Sequence, residues 1–296
     1  MKLSAYAPAK VNLFLHVGEP GQDGYHPVCS LMTFADVGDL VAVQGSETPE
    51  FEVTGPFGHE LAADDGNLVV RAARALLQRT SGPTPPLRLI LDKRLPVAAG
   101  LGGGSSDAGA TLRLLSSALE LVVQDETLEQ IAASLGADGA ACLRGEPVIA
   151  EGRGERLSPA PGMPVLDAVL VNPGVSSSTA AVYRAFDETG AGGGAERPWL
   201  PEMFESAEDV AAFLSVCRND LQTPAISLQP VIGEVLETLA DEPETLFARM
   251  SGSGATCFAL CAGDIEAEGL AERLEAMRPN WWVRRCRLGG ARNGQA

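Results

Sequence analysis

Apolar residues in this chain fall into short blocks whose period changes repeatedly. From Ala5 to Val17 they run almost unbroken, with Lys10 and Asn12 as polar intrusions. Read as a strand, the alternation puts Lys10, Asn12 and Phe14 on one face and Ala9, Val11, Leu13 and Leu15 on the other. Ser30–Ala35, Asp39–Val43, Phe51–Val53 and Leu87–Leu91 read as further short strands. Helical spacing takes over from Gly66 to Leu77 behind the start signals Asp65, Gly66 and Asn67. It returns at Ala108, Leu112, Leu115, Leu119 and Val122, with Ser105, Ser106 and Asp107 offering N-cap chemistry. Thr127–Leu135 is a third helix, closed by Gly136. Beyond Asp167, strands at Ala168–Val171, Leu246–Met250, Cys257–Ala262 and Trp282–Leu288 are interleaved with helices. Those helices are Thr179–Phe186, Val210–Val216, Val231–Leu239 and Ala267–Met277, a pattern that predicts an α/β sandwich half. Gly190–Pro201, rich in Gly, Ala and Pro, reads as a flexible insertion. No internal repeat is evident.

Composition narrows the class. The 296 residues are enough for a large core, near the length at which one domain becomes two. No apolar run reaches the roughly 18 residues of a membrane helix. Pro8, Lys10 and Asn12 interrupt any export-like segment behind Lys2, so a cytoplasmic location is expected. A net charge of −17 argues against nucleic-acid binding, and any anionic ligand must meet its cations locally. The six cysteines form no C-x-x-C pair, and with three histidines no zinc site can be assembled. Cys257 and Cys261 lie in an apolar run and read as small buried residues.

The candidate chemistry centres on Leu95–Ala108. Gly100, Gly102, Gly103, Gly104, Ser105 and Ser106 fall within seven residues, immediately before a helix. Glycines let backbone approach an anion closely, and the first turn of a helix offers unpaired N–H groups. The alternative is an ordinary Gly-rich surface loop. No lysine follows in the P-loop pattern, and Pro96 breaks the strand-to-glycine junction of a dinucleotide fingerprint. Lys10 inside an apolar strand is costly unless an anion or carboxylate receives it, although a strand-end lysine can also reach solvent. In the turn Asp23–Pro27, Tyr25 could stack on a flat ligand and His26 could read its edge, or both could be plain surface. Asp138 follows a helix stop, where a simple turn former is the common reading.

Three of these pieces, Pro8–Leu15, Pro96–Ala108 and Ser251–Thr256, resemble in order and spacing the three motifs of the GHMP kinase superfamily. Asp23–His26, Leu135–Asp138 and Asn219–Leu221 extend the likeness to the branch acting on a cytidine diphosphate-linked methylerythritol in isoprenoid precursor synthesis. The resemblance covers residues 5 to 288. It implies an α+β, two-domain GHMP kinase fold: an N-terminal ATP-binding α/β domain at 1–155 and a C-terminal ferredoxin-like sandwich at 156–296. It implies transfer of the γ-phosphoryl of ATP, with Mg²⁺, to a substrate hydroxyl. Asp138 is then the catalytic base and Lys10 its cationic partner. Pro96, Val97, Ala98, Ala99, Gly100, Leu101, Gly102, Gly103, Gly104, Ser105 and Ser106 hold the nucleotide phosphates, and Asn67 lines the adenine pocket. Asn12, Tyr25, His26 and Tyr183 take the cytosine end, and Ser106 is a candidate for the metal. A monomer or weak homodimer is expected.

One departure stands out. Where the family commonly has a branched residue, a proline and an aromatic after the aspartate, this chain has Gly139-Ala140-Ala141, which predicts a looser support for Asp138. Two other readings follow: a GHMP kinase for another small alcohol, and a non-catalytic nucleotide-binding relative. The Gly24-Tyr25-His26 turn speaks against the first and the Lys10–Asp138 pair against the second.

Overall fold

The computed structural model describes residues 3–80, 85–189 and 193–289. In chain order the elements are β1 (Leu3–Val17), β2 (Val28–Gly45), β3 (Glu50–Thr54), α1 (Leu68–Leu77), β4 (Leu87–Asp92), α2 (Gly103–Ala118), α3 (Asp125–Leu135) and α4 (Gly139–Arg144). They continue with β5 (Val148–Gly152), β6 (Arg156–Pro159), β7 (Leu166–Asn172), α5 (Thr179–Thr189), α6 (Ala207–Ser215) and α7 (Gln222–Leu228). The last five are α8 (Val231–Ala240), β8 (Thr245–Met250), β9 (Cys257–Cys261), α9 (Asp264–Met277) and β10 (Trp282–Leu288).

Strand β2 is the hub. It pairs antiparallel with β1 along almost its whole length, with β5 at its start and with β4 at its end. The two short strands expected at Ser30–Ala35 and Asp39–Val43 are therefore one. Gly38 lies between them and lets β2 pair through this point, because a Cβ there would overlap the carbonyl of Ala7 on β1. The sheet runs β3-β4-β2-β10-β7-β9-β8, with β1 and β5 also on β2 and β6 on β5. The two halves are joined by the pairing of Leu288 with Ala35 and by a bridge from Leu15 to Asn219.

Burial follows the same plan. One core gathers α1, α2, β2 and β4 around Val69, Leu76, Leu91, Leu112 and Leu115. A second gathers α7, α8, α9, β7 and β9 around Leu221, Ile232, Val235, Val171 and Leu270. A third, holding Val11, Leu13, Phe14, Leu170, Phe258 and Leu288, is shared by both halves. The helical spacing expected to reach Val122 stops earlier: α2 ends at Ala118, and Val122 is fully exposed.

Strand β1 does not keep a simple alternation either. Register shifts fall between Pro8 and Lys10 and between Asn12 and Phe14. The second bulge turns Phe14 into the core beside Leu13, while Leu15 joins Lys10 and Asn12 on the cavity side. Buried donors take the carbonyls that this distortion frees. Arg249 donates to Leu13 at 3.1 Å and Ser30 Oγ to Phe14 at 2.6 Å. Among the described residues no helix is long and apolar enough to cross a membrane.

Candidate active site

A cavity of about 540 Å³ opens between the loop 95–104, the middle of β1, Asp138 and the turn Gly252–Ser253. The glycine loop forms one wall. Gly100 and Gly102 have φ of +76° and +61°, and a Cβ on Gly100 would overlap the Ser251 carbonyl oxygen. Donors from elsewhere in the chain take up the loop's carbonyls. Lys10 N reaches Leu101 O at 2.8 Å, Thr256 N reaches Ala99 O at 3.1 Å, and Ser177 N reaches Ala98 O at 3.2 Å. Ser251 Oγ donates to Gly100 O at 3.0 Å. Gly103, Gly104 and Ser105, the first residues of α2, complete the wall with helix N–H groups that have no intrahelical acceptor.

The residues expected to cap α2 do something else. Its N-cap is Gly102, with no side-chain cap. Ser106 is fully buried and its hydroxyl donates to Pro8 O at 2.7 Å, so its side chain does not line the cavity. Asp107 turns inward to Lys93. Asn67 lines the cavity while its side chain accepts from Val69 N at 3.0 Å and caps α1.

Beside the loop, where a Cβ on Gly102 would lie 3.1 Å from Lys10 Cε, the Lys10 ammonium, on a side chain 4 % exposed, sits 3.2 Å from Asp138 Oδ2. It also donates to Asn12 Oδ1. Asn12 in turn donates to Ser30 Oγ at 2.7 Å, which fixes the orientation of its amide. Both ends of the Asn12 side chain are thus engaged by protein, and the residue holds Lys10 in place even though it lines the cavity.

The support for Asp138 is tight, contrary to the expectation from Gly139-Ala140-Ala141. Asp138 is the N-cap of the short helix α4, whose Ala140, Ala141 and Cys142 are buried. Gly139 lies directly on α3, where a Cβ would overlap the carbonyl of Ala132. Small side chains let the two helices approach closely and replace the stiffness of a proline with packing. Gly139→Ala should therefore push α4 off α3. The expected result is a lower melting temperature and a kcat reduced by about 10²-fold from displacement of the carboxylate by about 1 Å; thermal unfolding and steady-state kinetics on the same preparation check it.

Of the residues expected at a cytosine, only Tyr183 and Asn12 line the cavity. Burial and the nearby Asp138 push the Tyr183 phenol up to about 12, so it stays protonated. His26 packs behind it, ring centroids 5.1 Å apart, with Nδ1 2.8 Å from Gly18 O and Nε2 3.1 Å from Asp187 Oδ1. Tyr25 is 60 % exposed at the rim, and the Arg153 guanidinium lies 4.2 Å from its ring centroid.

Sequence reasoning gave no role to the cavity residues Lys93, Arg153 and Thr179, and named Gly252 and Ser253 only as part of the Ser251–Thr256 motif. Arg153 and Lys93 carried a legible signal, since each is a cation beside a turn or glycine run in a strongly acidic chain. Among the described residues no group of three or more His, Cys, Asp or Glu could hold a metal.

The fold and this cleft define a class. The chain matches the family described as GHMP kinases N terminal domain over residues 67–146 and that described as GHMP kinases C terminal over residues 194–280. It is a GHMP kinase, an ATP-dependent phosphotransferase with a mixed α/β, two-domain fold. The 4-diphosphocytidyl-2-C-methyl-D-erythritol kinase of Caulobacter sp. (strain K31) is 67 % identical over 291 residues, covering 98 % of this chain and 99 % of that relative. The protein of the same name from Caulobacter vibrioides (strain NA1000 / CB15N) is 65 % identical, with 97 % and 100 % covered. A crystal structure of 4-(cytidine 5'-diphospho)-2C-methyl-D-erythritol kinase superposes with a TM-score of 0.76 at 34 % identity, covering 98 % of this chain and all of the other. Within the GHMP kinases, the chain belongs to the 4-diphosphocytidyl-2-C-methyl-D-erythritol kinase family.

Proposed function

We propose that this enzyme transfers the γ-phosphoryl of ATP to a hydroxyl of 4-diphosphocytidyl-2-C-methyl-D-erythritol, with Asp138 as general base and Lys10 as its cationic partner. The observation that carries the reading is the 3.2 Å Lys10–Asp138 pair lining the cavity beside the glycine loop. Phosphoryl transfer needs an oriented hydroxyl and neutralised charge more than covalent help. Asp138, with 30 % of its side chain exposed, can accept the hydroxyl proton as the new P–O bond forms. Lys10 holds that carboxylate in place and offsets charge on the transferring phosphoryl. Loop 96–105 and the start of α2 take the triphosphate, Asn67 the adenine end, and Tyr183 with Tyr25 and His26 the cytosine end. The domain division near residue 155 belongs to the same reading, with the nucleotide on the N-terminal side.

Mg²⁺ fits this donor set in one way. With no protein cage among the described residues, the ion would be held by the nucleotide's own phosphates and by Ser105, which lines the cavity at the head of α2. When bound it neutralises phosphate charge. The six free, buried cysteines agree with a reducing, cytoplasmic setting, and a monomer or weak homodimer is proposed.

A second reading, a kinase for a smaller alcohol, draws on the placement of Tyr25 and His26 outside the cavity lining. Offering the purified protein ATP, Mg²⁺ and a panel of alcohols with and without a cytidine diphosphate group, and following ADP, separates the two. Turnover confined to the cytidine-linked alcohol is the expected result. Equal turnover of mevalonate or homoserine would overturn it.

A further inference from the structure

Beneath the glycine loop lies a buried charge cluster to which the chemistry above gives no part. The Lys93 ammonium, on a residue 2 % exposed, donates to Asp39 Oδ2 at 2.6 Å and to Asp107 Oδ2 at 2.8 Å. The other oxygen of Asp39 accepts from the amides of Arg94 at 2.6 Å and Leu95 at 2.8 Å, where the chain enters the loop. Asp107 lies in α2, where the chain leaves it. The ammonium also stands 2.8 Å from the position a Cβ on Gly103 would take, so the first turn of α2 rests on it.

This is an expensive arrangement. A cation at the N-terminal end of a helix opposes the helix dipole, and burial opposes every charge in the cluster. Two carboxylates share one ammonium, and Asp107 Oδ1 is buried without a hydrogen-bond partner. Burial works to lower the pKa of Lys93, but Asp107 and Asp39 outweigh it and raise it, so the ammonium stays charged. Buried ion clusters of this kind are poor stabilisers compared with packed apolar side chains, which directs attention to geometry. The segment they bracket needs fixing, for it contains Ala98 in the left-handed region at φ +51° as well as the positive-φ glycines.

We propose that Asp39, Lys93 and Asp107 are positioning residues for ATP, one ammonium fastening the entry and exit of loop 95–102 so that its amides are set before the triphosphate arrives. The proposal rests on the reading of this loop as the phosphate site. It is tested by calorimetric titration of ATP·Mg²⁺ into the full chain carrying Asp39→Asn, Asp107→Ala or Asp107→Asn, each also followed by thermal unfolding. Asp39→Asn and Asp107→Ala should weaken ATP binding by about 10–100-fold, the scale seen when outer-shell support of a bound ion is lost. Asp107→Asn, whose amide oxygen can still accept from Lys93, should recover most of that loss. Unchanged ATP affinity in variants that merely melt lower, or an Asp107→Asn variant as weak as Asp107→Ala, would overturn the proposal. If Asp39→Asn fails to fold, the comparison at Asp107 decides. Gly100→Ala, which acts on the loop itself, serves as the reference: if it leaves ATP affinity intact, the phosphate reading fails; if it weakens affinity while the cluster variants do not, only the cluster's role fails.

Discussion

Asp138→Asn is expected to lower kcat by about 10²–10⁴-fold, the range typical for loss of a general base, while the KM for ATP stays within a few-fold of wild type. The amide keeps the size and position of the carboxylate and can still accept from Lys10, so the local structure should survive. What it cannot do is take the hydroxyl proton. The Lys10 side chain stays beside the loop and the loop's own amides are untouched, so nucleotide binding has little reason to change. Steady-state kinetics with ATP and 4-diphosphocytidyl-2-C-methyl-D-erythritol, with nucleotide affinity measured separately, checks both halves. Retention of wild-type kcat would remove Asp138 from the mechanism.

Lys10→Met is the second large effect, with kcat expected to fall by about 10²–10³-fold, as for loss of one preorganised charge donor in a closed site. Methionine fills the same buried channel along β1, so the strand should remain paired with β2. Asp138 is partly exposed and can be solvated by water when its partner is removed, which limits the cost to folding. Asn12 loses an acceptor contact and keeps its bond to Ser30. A variant that binds ATP and the alcohol yet turns over slowly is the signature to look for in single-turnover measurements. A fall in melting temperature large enough to account for the lost activity would assign Lys10 to folding instead.

Much of the glycine-loop wall was legible because it is local. The glycine run, the helix behind it and the helix start at Asn67 all depend on residues within a turn or two of one another, and the structure has a helix from Leu68 capped by Asn67 and another, shorter than expected, behind the glycines. Lys10 was legible as an energetic problem: a lysine in an apolar strand needs a carboxylate, and Asp138 supplies it. Local rules failed where distant elements compete for the same side chain. Ser106 is drawn to Pro8 on β1, and Asp107 to Lys93, so neither caps α2. Gly38, lying between two strands read as separate, is where β2 passes against Ala7 of β1; Gly139 looked like a loss of support and is what brings α4 onto α3. Asn12 was assigned to the substrate and is engaged by Lys10 and Ser30. The helix α7 escaped the reading altogether, and of the insertion expected at 190–201, residues 190–192 lie outside the described residues.

By itself, then, the sequence determined most of the strands and helices, which glycines could open a phosphate loop, and that a lysine in an apolar strand calls for an anion or a carboxylate. Those properties follow from backbone conformation and burial energies that act over a few residues. Tertiary structure brings the acids and cations together, because Lys10 and Asp138 become neighbours only once β1 meets α4, and Asp39, Lys93 and Asp107 only once β2, the end of β4 and α2 have packed. It also decided where a missing Cβ matters, since a glycine's value at a contact is set by the backbone lying across from it.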